Sequence, residues 1–285
     1  MVATSTLCTC ATPLPYSVGV RKRKSAPSGR VDNDVRFPRC TLAGIDGHFG
    51  SRYIFTMQRL LLTVTAMGMV ASTALIPIGS FDDGRGHAVT PASTFFAIWG
   101  LVIVLCLIVA ALSWRRSATP AYRVAGWPLV IAQLGFSVWL LVAWAQSAWG
   151  TVVVFAGILA ALVVGLYRLR TQSDVRRNGL VASTLGLYAG WSTAAIWLNL
   201  VTNLPARYAD AGWMQSLCLV GAGVSALAVI VWIRPGVAYV LAVEWALVGV
   251  AIAAARYAAW APFTITVISA VAVAATFLQV RRSGA

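Results

Sequence analysis

Apolar runs, each close to the length of a bilayer crossing, follow one another along most of this 285-residue chain. A helix needs about 20 predominantly apolar residues to cross a membrane. Eight stretches qualify, at approximately 58–79, 93–113, 127–146, 150–168, 180–203, 214–233, 236–255 and 261–280. The gaps between them are short, so neighbouring helices should pack antiparallel, and no sizeable soluble domain fits after residue 57. The pattern predicts an all-α integral membrane protein with about eight transmembrane helices.

Composition agrees with the pattern. Hydrophobic residues make up 59% and charged residues 11%, with a mean hydropathy of +0.79. Soluble domains average roughly 45–50% apolar and about 25% charged, so an ordinary soluble enzyme is excluded. The net charge of +14 invites a nucleic-acid reading, but 9 of the 22 basic residues lie in the first 59 positions and most others in short gaps. A phosphate-binding fold would gather them on one soluble face, so no nucleic-acid partner is expected; membrane lipid is.

The placement of those basic residues predicts topology. Arg115, Arg116, Arg123, Arg168, Arg170, Arg176, Arg177, Arg234, Arg281 and Arg282 flank one set of gaps and the C-terminus, whereas the alternate gaps hold only Arg85, Arg207 and Arg256. This bias places both termini in the cytoplasm, as an even number of spans requires.

Residues 1–56 are polar, carry RKRK at 21–24 and show no apolar periodicity. Three readings are open: a disordered basic tail near anionic headgroups, a transit peptide, or a mis-assigned start with translation beginning at Met57. Cys8, Cys10, Cys40, Cys106 and Cys218 form no framework and no His cluster accompanies them, so no metal site is expected.

Three segments carry more specific information. The second span opens as TPASTFFAIWG (90–100), the third contains Gln133, Leu134, Ser137, Trp139 and Trp144, and the fifth reads LGLYAGWSTAAIWLNL (185–200). At helical spacing Tyr188, Trp191, Ala195 and Asn199 form one stripe about 80° wide. An amide in mid-span faces protein, because leaving it unpaired in hydrocarbon is costly.

These residues resemble the tryptophan-rich sensory proteins, also called TspO or translocator proteins. That family's last core helix carries P-Y-x-x-W, then A, then L-N, which Tyr188, Trp191, Ala195, Leu198 and Asn199 match, with Leu187 at the Pro position. Its second helix carries F-x-x-x-W, matched by Phe95 and Trp99; Ile103 stands where the family has Tyr. Its third helix carries Q-L-x-L-N-x-x-W: Gln133 and Leu134 match, Ser137 replaces the Asn and Leu140 the Trp. Trp144 returns to the Gln133 stripe at about +20°, so it is the expected aromatic there.

The resemblance covers residues 57–203 and implies a five-helix bundle, with three additional transmembrane helices in 204–285. It also implies a pocket for a planar apolar ligand such as a porphyrin, with no required cofactor and a sensory or regulatory role in a bacterial cytoplasmic membrane. Trp99, Gln133, Trp144, Tyr188, Trp191 and Asn199 are the expected lining; Arg85 and His87 of the first loop could meet tetrapyrrole propionates.

Glu244, the chain's single glutamate, lies within the seventh span. An intramembrane carboxylate suggests function by default, and the alternative reading is a small secondary transporter with Glu244 as coupling group. Gly157, Ala161 and Gly165 form a small-residue face suited to a homodimer seam or to internal packing. There is no nucleophile–base pair or carboxylate dyad, so enzymatic activity is not expected.

Overall fold

Within hydrocarbon a helix satisfies its backbone hydrogen bonds inside one segment, so the apolar runs fold as helices. The computed structural model describes residues 46–76, 88–115, 120–172 and 179–283. In chain order the helices are α1 (Asp46–Leu75), α2 (Ile98–Arg115), α3 (Pro120–Trp144), α4 (Ala148–Thr171), α5 (Gly179–Thr202), the one-turn α6 (Ala206–Ala209), α7 (Gly212–Ile233), α8 (Val237–Arg256) and α9 (Trp260–Arg282). A short 3-10 turn, Ser93–Ala97, leads into α2. No strand occurs among the described residues. The protein is an all-α, multi-pass integral membrane protein.

The long helices fall on the eight expected stretches, with differences at the start of α3, which begins at Pro120 rather than 127, and at the start of α1. The expected boundary at residue 57 lies inside α1, which begins at Asp46. Its upstream part is anchored by packing: the Phe55 ring lies under the Arg123 guanidinium, 4.2 Å from ring centre. Residues 1–45, which include the RKRK run, Cys8, Cys10 and Cys40, lie outside the described residues.

Seven of the eight long helices are apolar and long enough to cross a membrane. The other is α5, whose Gly, Ser, Thr and ring residues lower its hydropathy. Its place in the bundle explains this composition. Helices α1, α2, α5, α4 and α3 close into a ring, each touching the next, and α5, α7, α9 and α8 close into a second. Helix α5 belongs to both, and at 24 residues it is about 36 Å long, the length of a span. It therefore faces protein on both sides, while Leu101, Ile131, Leu141, Val153, Leu217, Leu241 and Ile268 stay exposed on other helices. Such an apolar exterior suits lipid contact.

Small residues let α5 sit so deep. A Cβ on Gly190 would come within 2.2 Å of the Tyr239 carbonyl oxygen, so α8 can approach α5 this closely only at a glycine. Beside it, Thr193 and the Tyr239 hydroxyl share a 3.1 Å hydrogen bond. The tight reversals α3–α4, α7–α8 and α8–α9 each use one residue in the left-handed region: Gln146 (φ 56°), Arg234 (φ 52°) and Ala258 (φ 51°).

The α4 small-residue face is divided. Gly165 packs inward, where a Cβ would lie 2.9 Å from the Pro128 ring, whereas Gly157 meets nothing within 4 Å. Gly165 thus serves contact within the bundle, with α3.

Gly190→Ala is expected to lower the thermal stability of the detergent-purified protein by about 1–3 kcal/mol, the cost of overpacking against backbone. Gly157→Ala should be neutral or raise stability by up to about 1 kcal/mol, since it gains helix propensity in open space. Equal melting temperatures for both variants would contradict the α5–α8 approach described.

Candidate functional site

The aromatic residues of α2, α3, α4 and α5 converge inside the five-helix ring. Trp99 of α2 is their centre, 2% exposed, and its ring lies within 4.7–6.2 Å of Phe136, Trp139, Phe155, Tyr188 and Trp191, centroid to centroid. Trp139 stacks on Trp99 at an interplanar angle of 26°. Tyr188 and Trp191 instead meet it edge-on, at 83° and 86°. Phe96 closes the side of the cluster by meeting Trp191 edge-on at 5.7 Å. Offset stacking and edge-to-face geometry are what the aromatic quadrupole favours, adding about 0.5–1.5 kcal/mol per pair beyond burial.

The α5 stripe supplies the rear wall. Tyr188 and Trp191 are fully buried and Ala195 nearly so. The Tyr188 hydroxyl donates to the Ala132 carbonyl of α3 at 2.9 Å, fixing the ring against that helix. Asn199 is half-buried; its Nδ2 donates to the Ala195 carbonyl at 2.9 Å while its Oδ1 accepts from Trp139 Nε1 at 3.3 Å. The amide is thus tied to the cluster through an indole.

Gln133 lies on the α1 side. It is fully buried, and its Oε1 accepts a 2.6 Å hydrogen bond from Thr65. The Cys106 thiol also approaches this side chain, but it is a weak acceptor, and Gln133 Nε2 has no hydrogen-bond partner of standard geometry. Trp191 Nε1 and the Ser192 hydroxyl are likewise buried without partners. A buried donor left unmade costs about 1–3 kcal/mol, so unpartnered donors beside a ring cluster point to function as much as to packing.

Trp144 lies apart from the ring cluster. It shares the Gln133 stripe in angle, but it is the last residue of α3, about 16 Å further along the axis, and 69% exposed. The structure uses Phe136 and Trp139 instead, with Phe155 from α4. A wheel anchored on Gln133 misses Phe136 and Trp139 because Gln133 faces α1, whereas these rings lie about 60–120° round the helix. The i, i+3 spacing of Phe136 and Trp139 is the signal that could have found them.

The second ring holds a separate small gap lined by Trp197, Leu198, Gln215, Cys218, Leu219 and Val250 among others. Trp197 reaches across it to donate to Ser225 at 3.2 Å, and Gln215 donates to the Ala209 carbonyl at 2.8 Å. Glu244 sits away from the ring cluster, at the edge of the buried arc of α8, half-buried with Oε1 unpartnered. Next to it, Trp245 donates to the Phe95 carbonyl at 2.9 Å. Arg85 and His87 lie outside the described residues, and among those described no three His, Cys, Asp or Glu side chains gather as metal ligands.

Truncating the central ring should be severe: Trp99→Ala is expected to cost about 3–5 kcal/mol, whereas Trp144→Ala should stay within about 0.5 kcal/mol. Thermal unfolding followed by near-ultraviolet circular dichroism separates the two. Similar losses in both variants would place Trp144 inside the bundle.

Among known proteins, no curated protein and no solved structure matches the chain. A family model described as TSPO-like protein matches residues 54–280, a segment running from α1 into α9. The matched segment holds the ring cluster on α2–α5 and also takes in α7 and α8, and the chain belongs to the TSPO-like protein family.

Proposed function

We propose that this protein binds a planar apolar ligand of the tetrapyrrole class inside the five-helix ring. We assign it a sensory or regulatory role in a bacterial cytoplasmic membrane, with both termini in the cytoplasm. The observation that carries this reading is the coincidence of a ring cluster centred on Trp99 with two buried N–H donors: Trp191 Nε1, which has no hydrogen-bond partner, and Gln133 Nε2, which has only the weakly accepting Cys106 thiol nearby. In the present conformation the rings cover one another's faces. A flat macrocycle entering between them exchanges ring–ring contact for ring–macrocycle contact of similar kind. What it adds is acceptors for the stranded donors, and a few placed polar groups are how apolar sites orient their ligands.

A tetrapyrrole titration of the detergent-purified protein, read by tryptophan fluorescence quenching, tests this. Saturable micromolar quenching is expected for the parent. Gln133→Leu should leave stability nearly unchanged, because it removes a half-satisfied amide in favour of an apolar side chain of similar size. The same variant should weaken binding by about tenfold, the worth of one hydrogen bond to a ligand. Trp191→Phe should weaken binding in the same way. Absence of saturable binding by the parent, or unchanged affinity in both variants, would refute the proposal.

One observation favours a second reading, in which the protein is a small secondary transporter: the Glu244 carboxylate, partly buried within a spanning helix, has a buried Oε1 without a partner. In that case Glu244→Gln abolishes substrate uptake into proteoliposomes while Trp191→Phe spares it. The pocket reading predicts the reverse for ligand binding, with Glu244→Gln silent.

A further inference from the structure

A cleft opens where the three first helices end together, at the side that the arginine bias assigns to the cytoplasm. It lies between the α1 segment around Phe55 and Arg59, the last turn of α2 at Ser113, and the first turn of α3 at Tyr122 and Arg123, and it is shallow and open on one side. Most polar groups in it are tied within the protein. Gln58 Nε2 donates to the Arg123 carbonyl at 3.1 Å, and the Ser113 hydroxyl to the Ala110 carbonyl at 2.6 Å. Tyr122 is different: it is 5% exposed, it lines the cleft, and its hydroxyl is buried with no hydrogen-bond partner.

The cations of the cleft are equally unmatched. The Arg123 guanidinium rests on the Phe55 ring, and Arg59 stands one turn along α1 from Phe55. Among the described residues that line the cleft there is no carboxylate. Two guanidinium groups and a stranded hydroxyl donor, set in walls that include Phe55 and Leu62, are the complement of an oxyanion carried on an apolar body.

We propose that this cleft is a binding site for the phosphate of an anionic phospholipid. The surroundings favour a lipid over a free anion. At the mouth the half-buried Phe55 ring offers an acyl chain apolar surface that a free phosphate would not use. The half-exposed Trp114, whose Nε1 donates to Thr63 at 3.1 Å, sits at the end of α2 as an indole at headgroup level does. The phosphate takes charge-assisted hydrogen bonds from Arg59 and Arg123 and a neutral one from Tyr122, so one lipid links the ends of α1 and α3.

Native mass spectrometry of the full chain in neutral detergent, titrated with phosphatidylglycerol or phosphatidylcholine, tests the site. Phosphatidylglycerol should be retained over phosphatidylcholine by the parent and by Arg281→Gln, which alters a basic residue remote from the cleft. Arg59→Gln and Arg123→Gln should each weaken that retention about tenfold. Tyr122→Phe should weaken it severalfold while keeping the lipid-free melting temperature, since the hydroxyl it removes bonds nothing. Equal retention of phosphatidylglycerol by the parent and the three cleft variants would overturn the proposal. So would its displacement from the parent by millimolar inorganic phosphate, which would show a site for a free oxyanion.

Discussion

The structure depends on enclosing one helix on every side. A spanning helix that meets lipid can be built from branched aliphatic residues, but α5 meets α8 across Gly186 and Gly190 and faces the ring cluster through Tyr188 and Trp191. Close approach gives dispersion contact, and in a bilayer that contact, not water exclusion, holds helices together. Once α5 is fixed by both rings, the positions of the other helices follow from it. Its polar atoms must then be satisfied inside protein: Tyr188 on Ala132, Thr193 on Tyr239, Asn199 on Trp139 and on its own turn.

That requirement makes the exceptions informative. Where Thr184, Tyr188 and Thr193 of α5 find partners, Trp191 Nε1 and the Ser192 hydroxyl do not, and Gln133 opposite is half-satisfied. Stranded donors lower stability unless an occupant supplies acceptors. They lie next to flat aromatic faces, where a rigid planar ligand has most to gain. The cleft between the ends of α1, α2 and α3 follows the same logic with charge added, as Tyr122 keeps an unused donor beside two arginines, with no carboxylate among the described lining residues.

The division of the molecule into two rings also separates two chemistries. The five-helix ring is filled by aromatic rings and two amides, Gln133 and Asn199. The α5–α7–α9–α8 ring is filled by smaller apolar residues around Trp197 and Gln215. Glu244 belongs to this second part, on the arc of α8 turned from the cluster, so a role for its carboxylate would be independent of the Trp99 site.

Much of this was legible along the chain. Span positions follow from transfer energetics, which act on each segment separately, so all eight helices could be located, although α1 and α3 begin well upstream of the expected stretches. The inward orientation of Tyr188, Trp191 and Ala195 was legible too, because a polar residue on the same stripe cannot face lipid. Tertiary structure decided the rest, since it depends on which helix stands opposite. Angle on a wheel could not separate Trp144 from the cluster, because depth along the axis matters as much as angle and the helix ends there. Gly165 alone could not reveal that its face belongs to Pro128. Nor could hydropathy distinguish α5 as the shared helix: its modest value reads as a weak span until two rings are seen to close around it. Local sequence determined what crosses the membrane and which faces turn inward. Only packing decided which inward faces meet, because that is a property of pairs of helices and not of either one.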